Sequence, residues 1–407
     1  MVPAAETNGM EILFLILLIV LIDALSFLTI TGKRITGNSD YVRVLVTLHL
    51  LFSLITYYLL IKAIFHKGDF SDTSFLTLNL HLALFISAIW LQRIIIVILS
   101  NTGYILRRFS AGLAKTLNIS GLLISALIFL VLAAGYINGR FNFKVERIGI
   151  QYDNLSPSLD GLRIVHISDL HLSSFHRKEK RLIEVVQIIN DLNPDLILNT
   201  GDFVTIASHE MEPFTSILAE LKSEHGKYAV TGNHDEGTYH PDYNESDRIN
   251  NFNRILELIV SSGFLPVTDT AINISIHNSE LTLIGNRTSG SIPNISYSNI
   301  DHLLADSVST DFRILLSHDP NWWSGHINGK YSINLTLSGH THGAQLGFRF
   351  GKSRWSPAKK YYAAWHGLYG AGDCWLYVNS GLGTIGIPVR IGMPPEITLI
   401  TINKSGY

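Results

Sequence analysis

The sequence has one cysteine, Cys374, among 407 residues. An internal disulfide is therefore excluded, although many exported proteins also lack disulfides, so the compartment stays open. Charge is sparse too: Asp, Glu, Lys and Arg make up 16% of the chain, and the net charge is −2. No basic cluster stands out along the sequence, so nothing supports a nucleic-acid partner. There is no internal repeat and no low-complexity tract. The stretch Glu6–Glu11 holds no Lys or Arg, and the apolar run after it is too long for the core of a cleaved signal peptide.

What the chain does have is unevenly spread. Up to about Gly139 it is mostly apolar; beyond that its composition is ordinary. Four runs, Ile12–Ile30, Val42–Ile64, Phe75–Leu99 and Leu117–Ile137, reach the roughly 20 residues a helix needs to cross a bilayer. They predict an all-α four-helix transmembrane bundle over residues 1–140 and a second domain over 141–407. Lys33, Arg34 and Arg43 follow the first run, and Arg107, Arg108 and Lys115 follow the third. Lys62 and Lys67 in the second loop are offset by Asp69 and Asp72, and Arg140, Lys144 and Arg147 follow the last run. The positive-inside rule then favours a multi-pass protein of a plasma or inner membrane with its large C-terminal part on the non-cytoplasmic side. Asp23, His49, His81, Gln92 and Arg93 lie within the runs. Pairing of Asp23 with Arg93 inside the bundle, or snorkelling of Arg93 to an interface, accounts for those two charges.

After Gly139 the hydrophobic periodicity alternates between strand and helix. Strands are expected at Phe141–Tyr152, Leu162–Ser168, Asp195–Thr200, Lys227–Thr231, Ala271–Ile276, Leu281–Gly285, Phe312–Ser317, Ser332–Leu337, Phe348–Trp355, Trp375–Asn379 and Ile397–Ile402. Helices are expected at Arg177–Leu192, Met211–Lys222, Arg248–Ser261 and Asn299–Leu304. Such an order predicts a sheet-rich α/β layered domain.

Five of the strands end in metal-ligating residue types. The ends read Asp169-Leu-His171, Gly201-Asp202, Gly232-Asn233-His234-Asp235, His318 and Gly339-His340-Thr341-His342. In open α/β sheets, ligands bind beyond the carboxyl ends of the strands. A set of carboxylates, imidazoles and one amide suits divalent Mn, Fe or Zn. There are too many donors for one tetrahedral ion, and a carboxylate shared by two ions about 3.5–4 Å apart accounts for the excess.

This pattern resembles the calcineurin-like metallophosphoesterase superfamily, over nearly the whole chain after Gly161. Leu159–Leu172, Ser338-Gly-His-Thr-His-Gly-Ala-Gln345 and Asn379-Ser-Gly-Leu-Gly-Thr384 are similar to its membrane-anchored branch. Ala344 departs from the pattern, since a second glycine is common there. The resemblance implies an α/β four-layer fold, a central β-sandwich flanked by helices, with two divalent metal ions. It implies that Asp169, His171 and His342 hold the first ion, that Asn233, His318 and His340 hold the second, and that Asp202 bridges them. His234 then faces the scissile phosphate and protonates the leaving oxygen, with Asp235 either orienting it or only capping. The implied activity is a metal-dependent hydrolase acting on phosphoric ester or anhydride bonds, with ion-acidified water as nucleophile.

The tether directs attention to the lipid bilayer and to a lipid or lipid-linked phosphodiester or pyrophosphate as substrate. A broad phosphomonoesterase or nucleotide-cleaving enzyme uses the same metal core, and a membrane scaffold or sensor with a structural metal site is the rival outside enzymes. Arg287 and Arg390 follow glycine-bearing strand ends and are candidates for binding a substrate phosphate. His166 reads as a core histidine; His176, His209, His240 and His366 are candidates for lining the cleft, but each reads more readily as exposed surface. Trp322, Trp323, Trp355, Trp365, Tyr361 and Tyr362 fit either core packing or a lipid interface.

Overall fold

The computed structural model describes residues 9–32, 39–65, 68–291, 294–305, 312–351 and 353–406. Lys33, Arg34 and Lys67, which carry part of the loop charge asymmetry, lie outside these residues. The chain divides into two compact units: Ala4–Asp69 with Leu78–Tyr136, and Phe70–Thr77 with Ile137–Tyr407.

The first unit is helical. Its elements are α1 (Gly9–Thr31), α2 (Ser39–Phe65), most of α3 (Thr73–Leu106) and α4 (Ala111–Ile137). Asp40–Ile61, Thr73–Leu106 and Ala111–Phe141 are long and apolar enough to cross a membrane, and Ile16–Thr31 is a shorter apolar helix among the described residues. Large apolar side chains such as Leu54, Leu123 and Leu130 stand more than half exposed. Water would penalise that surface, whereas lipid accepts it. The polar residues turn inward instead. Asp23 Oδ1 lies 2.5 Å from Arg93 Nη1 and 3.2 Å from His49 Nε2, and Ser53 and Tyr57 each donate a hydroxyl to the same carboxylate at 2.8 Å. The Asp23–Arg93 pair thus forms inside the unit rather than at an interface.

The second unit is built from short strands. They are β1 (Lys144–Tyr152), β2 (Arg163–Ile167), β3 (Leu196–Asn199), β4 (Lys227–Ala229), β5 (Leu265–Pro266), β6 (Thr270–Ile276), β7 (Ser279–Asn286) and β8 (Thr288–Ser291). Then come β9 (Asn294–Tyr297), β10 (Phe312–Ser317), β11 (Leu335–Ser338), β12 (Phe348–Phe350), β13 (Ser353–Trp355), β14 (Gly367–Ala371), β15 (Cys374–Val378) and β16 (Glu396–Lys404). One six-stranded sheet has the order β1-β16-β2-β3-β4-β5, and the other β14-β15-β11-β10-β7-β6. The central pairs, β2–β3–β4 and β7–β10–β11–β15, are parallel. β3 and β11, in the middle of the two sheets, are buried at every residue, because a parallel strand is covered on both faces.

Three apolar clusters hold the layers together. Between the sheets, Ile164, Leu196 and Leu198 meet Leu283, Ile314, Leu316 and Leu337. On the outer side of the first sheet, Val165 and Ile197 pack against helices α5 (Glu179–Asp191), α6 (Thr215–Ala219) and α7 (Glu245–Ser261). The α5 residues Leu182, Val185, Val186 and Ile189 recur at helical spacing and form its buried stripe. Each fully buried Leu or Ile contributes about 1.5–3 kcal/mol. Beyond the second sheet, Ile284, Leu315 and Leu376 pack on Trp322, Trp323 and α8 (Ile300–Ala305).

Several boundaries differ from the sequence expectation for local reasons. Helix α7 starts at Glu245 rather than Arg248, because Asn244 and Asp247 form a reciprocal capping box, each bond 3.1 Å. The expected helix Met211–Lys222 shortens to a 3₁₀ turn, Glu212–Phe214, and α6. Phe348–Trp355 is a hairpin of two short strands, not one strand.

Candidate metal centre

The loops that follow β2, β3, β4, β10 and β11 carry the site. Asp169, His171, Asp202, His340 and His342 all have positive φ, between 37° and 68°. Backbone in this region costs a non-glycine residue about 1–3 kcal/mol, and such strain concentrates at functional sites. The glycines beside them are needed for close approach. A Cβ at Gly339 would strike the Ser168 hydroxyl and the Asp169 carboxylate, and one at Gly232 would strike the Asp202 carboxylate. Ala344 also takes φ 50°, which explains why a glycine suits that position.

Among the described residues two groups could hold a metal ion: Asp169, His171 and His342; and Asp202, His318 and His340. In the first, His342 Nε2 is 3.1 Å from both Asp169 Oδ1 and His171 Nε2. Nitrogens each about 2.0–2.1 Å from one ion stand roughly 3 Å apart, so the spacing fits a shared ion. Asp202 joins the groups, its Oδ2 lying 3.0 Å from His318 Nε2 and 3.7 Å from His171 Nε2. Its other oxygen accepts from the His234 amide at 2.9 Å.

Two buried donor atoms, Asn233 Oδ1 and His340 Nε2, make no hydrogen bond, and a third, His318 Nε2, meets only the Asp202 carboxylate. Leaving a buried polar atom unmet costs about 1–3 kcal/mol, so two in one place beside a buried carboxylate point to a ligand of positive charge. The far sides of these residues are anchored. The Thr200 carbonyl lies 2.8 Å from His318 Nδ1, the Thr205 hydroxyl 3.3 Å from His171 Nδ1, and Asn233 Nδ2 donates to the Tyr239 hydroxyl at 2.9 Å. Such partners fix the tautomer and aim the ligand atom. The residues present therefore fit a pair of divalent ions.

Electrostatics support the same grouping. Burial opposes ionisation of Asp169 and Asp202, but the surrounding imidazoles outweigh it and hold both carboxyls below the usual range. Burial lowers His171 well below its ordinary value and lowers His340 as well. For His318, burial is outweighed by Asp202 and the ring is pushed up to about 10.

His234 stands in the cleft wall but belongs to neither group. Its Nδ1 donates to the Thr205 carbonyl at 2.7 Å, and its ring stacks on Tyr239 with centroids 4.0 Å apart. Burial pulls it down to about 4, against Asp202, which raises it, so the resting ring is neutral at pH 7. The cleft has a volume of about 200 Å³ and is lined by Asp202, His234, Tyr239, His340, His342 and Gln345 among others.

Some sequence expectations need correcting. Asp235 does not orient the His234 ring. Its carboxylate accepts backbone amides from Asp202, Phe203, Val204 and Gly232 at 2.9–3.2 Å, tying two ligand loops together. Arg287 is not free to bind phosphate, because its guanidinium is held in a fork by Glu236, both bonds 2.8 Å, and lies over Phe252. Arg390 is only 1% exposed, and it spends its donors on the carbonyls of Ser380, Gly381, Gly383 and Met393, next to His342 Nδ1. It braces the loop of His342 from behind. His240 is buried rather than exposed, stacked on Tyr243. His166 is a core residue, with Nε2 3.0 Å from the Thr200 hydroxyl. Sequence reasoning missed Tyr239, Thr205 and Glu210. The last accepts four buried amides, those of Ser173, Thr205, Ile206 and Ala207, and shapes the loop after Asp202. None belongs to a motif; Tyr239 alone carries a signal, as an aromatic one turn past His234.

Comparison with known proteins agrees with this geometry. The family model for calcineurin-like phosphoesterases matches residues 162–344, which include every candidate ligand. The uncharacterized metallophosphoesterase YkuE of Bacillus subtilis is 32% identical over 251 residues, covering 60% of this chain and 80% of the relative. The chain belongs to the calcineurin-like phosphoesterase family. It is accordingly a metal-dependent phosphoester hydrolase. A Danio rerio protein named transmembrane protein with metallophosphoesterase domain is 29% identical over 301 residues, covering 69% of this chain and 62% of the relative's length. A protein of that name from Bos taurus is 28% identical, covering 67% of this chain and 60% of its own. Among solved structures, TT1561 of Thermus thermophilus aligns over 55% of this chain and 90% of its own, at 14% identity and a TM-score of 0.33.

Proposed function

We propose that this protein is a membrane-anchored phosphoesterase with a dinuclear metal centre that hydrolyses a phosphodiester or pyrophosphate bond of a lipid or lipid-linked substrate. The observation that carries this reading is the meeting of two ligand groups at Asp202, beside a cleft in which His234 stands unligated. Asp169, His171 and His342 would hold one ion, Asn233, His318 and His340 the other, and Asp202 both. When bound, divalent Mn, Fe or Zn neutralises phosphoryl oxygens and brings the pKa of a water near 7.

The chain's own residues do the rest. The Thr205 carbonyl fixes His234, a residue that lines the cleft, through Nδ1, which leaves Nε2 as the nitrogen for proton transfer. His234 delivers a proton to the leaving oxygen, and for that the ring has to gain one at Nε2. Asp202 already favours the charged form, and the negative charge of an arriving phosphoester acts in the same direction. Asp235, Glu210 and Arg390 hold the ligand loops in their strained conformations.

A cleft of about 200 Å³ takes a phosphoryl group and its immediate neighbours, so the rest of a lipid would lie outside it. Four crossings by α1–α4, a four-layer catalytic domain and its placement on the non-cytoplasmic side complete the proposal. The test is hydrolysis by detergent-solubilised full-length protein, stripped by chelation and resupplied with Mn²⁺. Bis-p-nitrophenyl phosphate would be compared with p-nitrophenyl phosphate, with lipid extracts to follow. Cleavage of the diester that needs Mn²⁺ supports the proposal. Preference for the monoester moves the reading to a phosphomonoesterase, and no turnover with metals bound moves it to a scaffold.

A further inference from the structure

From Pro320 to Gly372 the chain has no Asp or Glu. Within that stretch, just after His342, β12 and β13 fold back on each other. Their register sets Phe348 opposite Trp355 and Arg349 opposite Arg354. Successive side chains of a strand point to opposite faces, so one face of the hairpin carries the aromatic pair and the other the arginine pair. The sequence shows no basic cluster because these cations are spaced along it; the fold brings them together.

The packing of the domain does not account for this hairpin. Trp322, Trp323 and Trp365 are 3–6% exposed and belong to the core. Phe348 and Trp355 stack with ring centroids 6.0 Å apart, yet stay 47% and 49% exposed. Like charges directly opposed on a hairpin are destabilising. Even so, Arg349, Arg354, Lys359 and Lys360 form no ion pair among the described residues; Arg349 donates to the Gly351 carbonyl and Arg354 contacts His366. Lys359, Lys360 and Tyr361 follow on the next turn and are exposed.

Phe348, Arg349 and Arg354 border a cavity of about 160 Å³ whose wall includes Lys144, the first residue of β1. Glu146 and Glu396 are its acidic members, and Glu396 is engaged by Tyr377, Thr398 and Ser380. Only the short link Asn138–Phe143 joins Lys144 to the end of α4. Exposed Trp and Tyr beside unpaired Lys and Arg are what the headgroup region of a membrane takes up.

We infer that the Phe348–Trp355 hairpin and the Lys359–Tyr361 turn form a docking surface for anionic lipid headgroups. Tyr362, the next residue, packs its ring on His340 at 5.6 Å, so the docked turn ends against the ligand set. Docking would therefore hold the cleft toward headgroups. The inference needs the membrane anchor but not the substrate proposed above, and its test needs no turnover.

The test uses full-length protein with Cys374→Ser and one fluorescent label at Tyr361→Cys, in nanodiscs of phosphatidylcholine with or without phosphatidylglycerol. A label at Asp153→Cys, exposed beyond the other end of β1, is the control. In the anionic discs the Tyr361→Cys label should be shielded from iodide and quenched by a lipid-borne quencher, while the control stays open. Adding Lys359→Gln and Lys360→Gln should lower the docking equilibrium about 30-fold, since each cation near an anionic leaflet contributes roughly fivefold. A Tyr361→Cys label as open to iodide as the control in both discs overturns the inference. So does shielding that is indifferent to lipid charge and to the lysine pair.

Discussion

Replacing Tyr239 with Phe removes one oxygen and tests how the second ligand group is held. The Tyr239 hydroxyl accepts from Asn233 Nδ2 at 2.9 Å, while Asn233 Oδ1 is buried with no partner. Anchored at one end, the amide offers its oxygen at the other; released, it can rotate and offer nitrogen, which ligates nothing. Loss of such an orienting partner weakens metal binding by about 10–100-fold, or about 1.4–2.8 kcal/mol. The Phe ring keeps the stack on His234, where the planes lie 11° apart, so the two roles of Tyr239 separate. Calorimetric titration of stripped protein with Mn²⁺ should show one binding step weakened by this factor and the other unchanged. Diester hydrolysis should be impaired at limiting Mn²⁺ and restored at saturation. If both steps keep their native affinity, or if saturating metal fails to restore turnover, Tyr239 does not orient a ligand and the reasoning is wrong.

Further outcomes follow from the same geometry. His234→Ala should keep its metal content, measured by elemental analysis, while turnover falls by about 10²–10⁴-fold; loss of metal would instead make His234 a ligand. Asp235→Asn keeps one acceptor oxygen for four amides and strands about two of them, so urea unfolding of stripped protein should show a loss of roughly 2–5 kcal/mol. Metal loading should tighten as pH rises from 7 toward 10, by up to about tenfold per unit, because His318 must give up a proton to bind. In stripped protein the sign reverses for stability: the contribution of a His318 raised above 6.5 is full below that pH and is lost as pH passes through about 10. Ala344→Gly relieves a left-handed φ and should raise unfolding stability by about 0.5–1 kcal/mol without changing turnover.

The candidate ligands were legible in the sequence because each sits just past a short apolar strand, with a glycine marking the turn at Asp202, Asn233, His340 and His342, and that punctuation survives in one dimension. Phe312–Ser317 matches β10 end to end for the same reason. What sequence could not supply was partnership across distance. Arg287 and Arg390 looked free because Glu236 and the carbonyls of residues 380–393 meet them only in the fold. Asp235 sits beside His234 in sequence, yet its four partners lie on the loop after β3 and at Gly232. Pairing of β1 with β16, parallel and at opposite ends of the domain, carries no local mark at all. The exposed Trp355 and the buried Trp322, Trp323 and Trp365 were alike by composition and differ only in what covers them.

The central claim is one centre of two ions joined at Asp202, and counting ions tests it most directly. Stripped full-length protein, dialysed to saturation against Mn²⁺, should bind two equivalents per chain, and Asp202→Ala should lose tight binding of both together with hydrolysis. One equivalent in the native protein, or two retained with full activity in Asp202→Ala, would contradict the account.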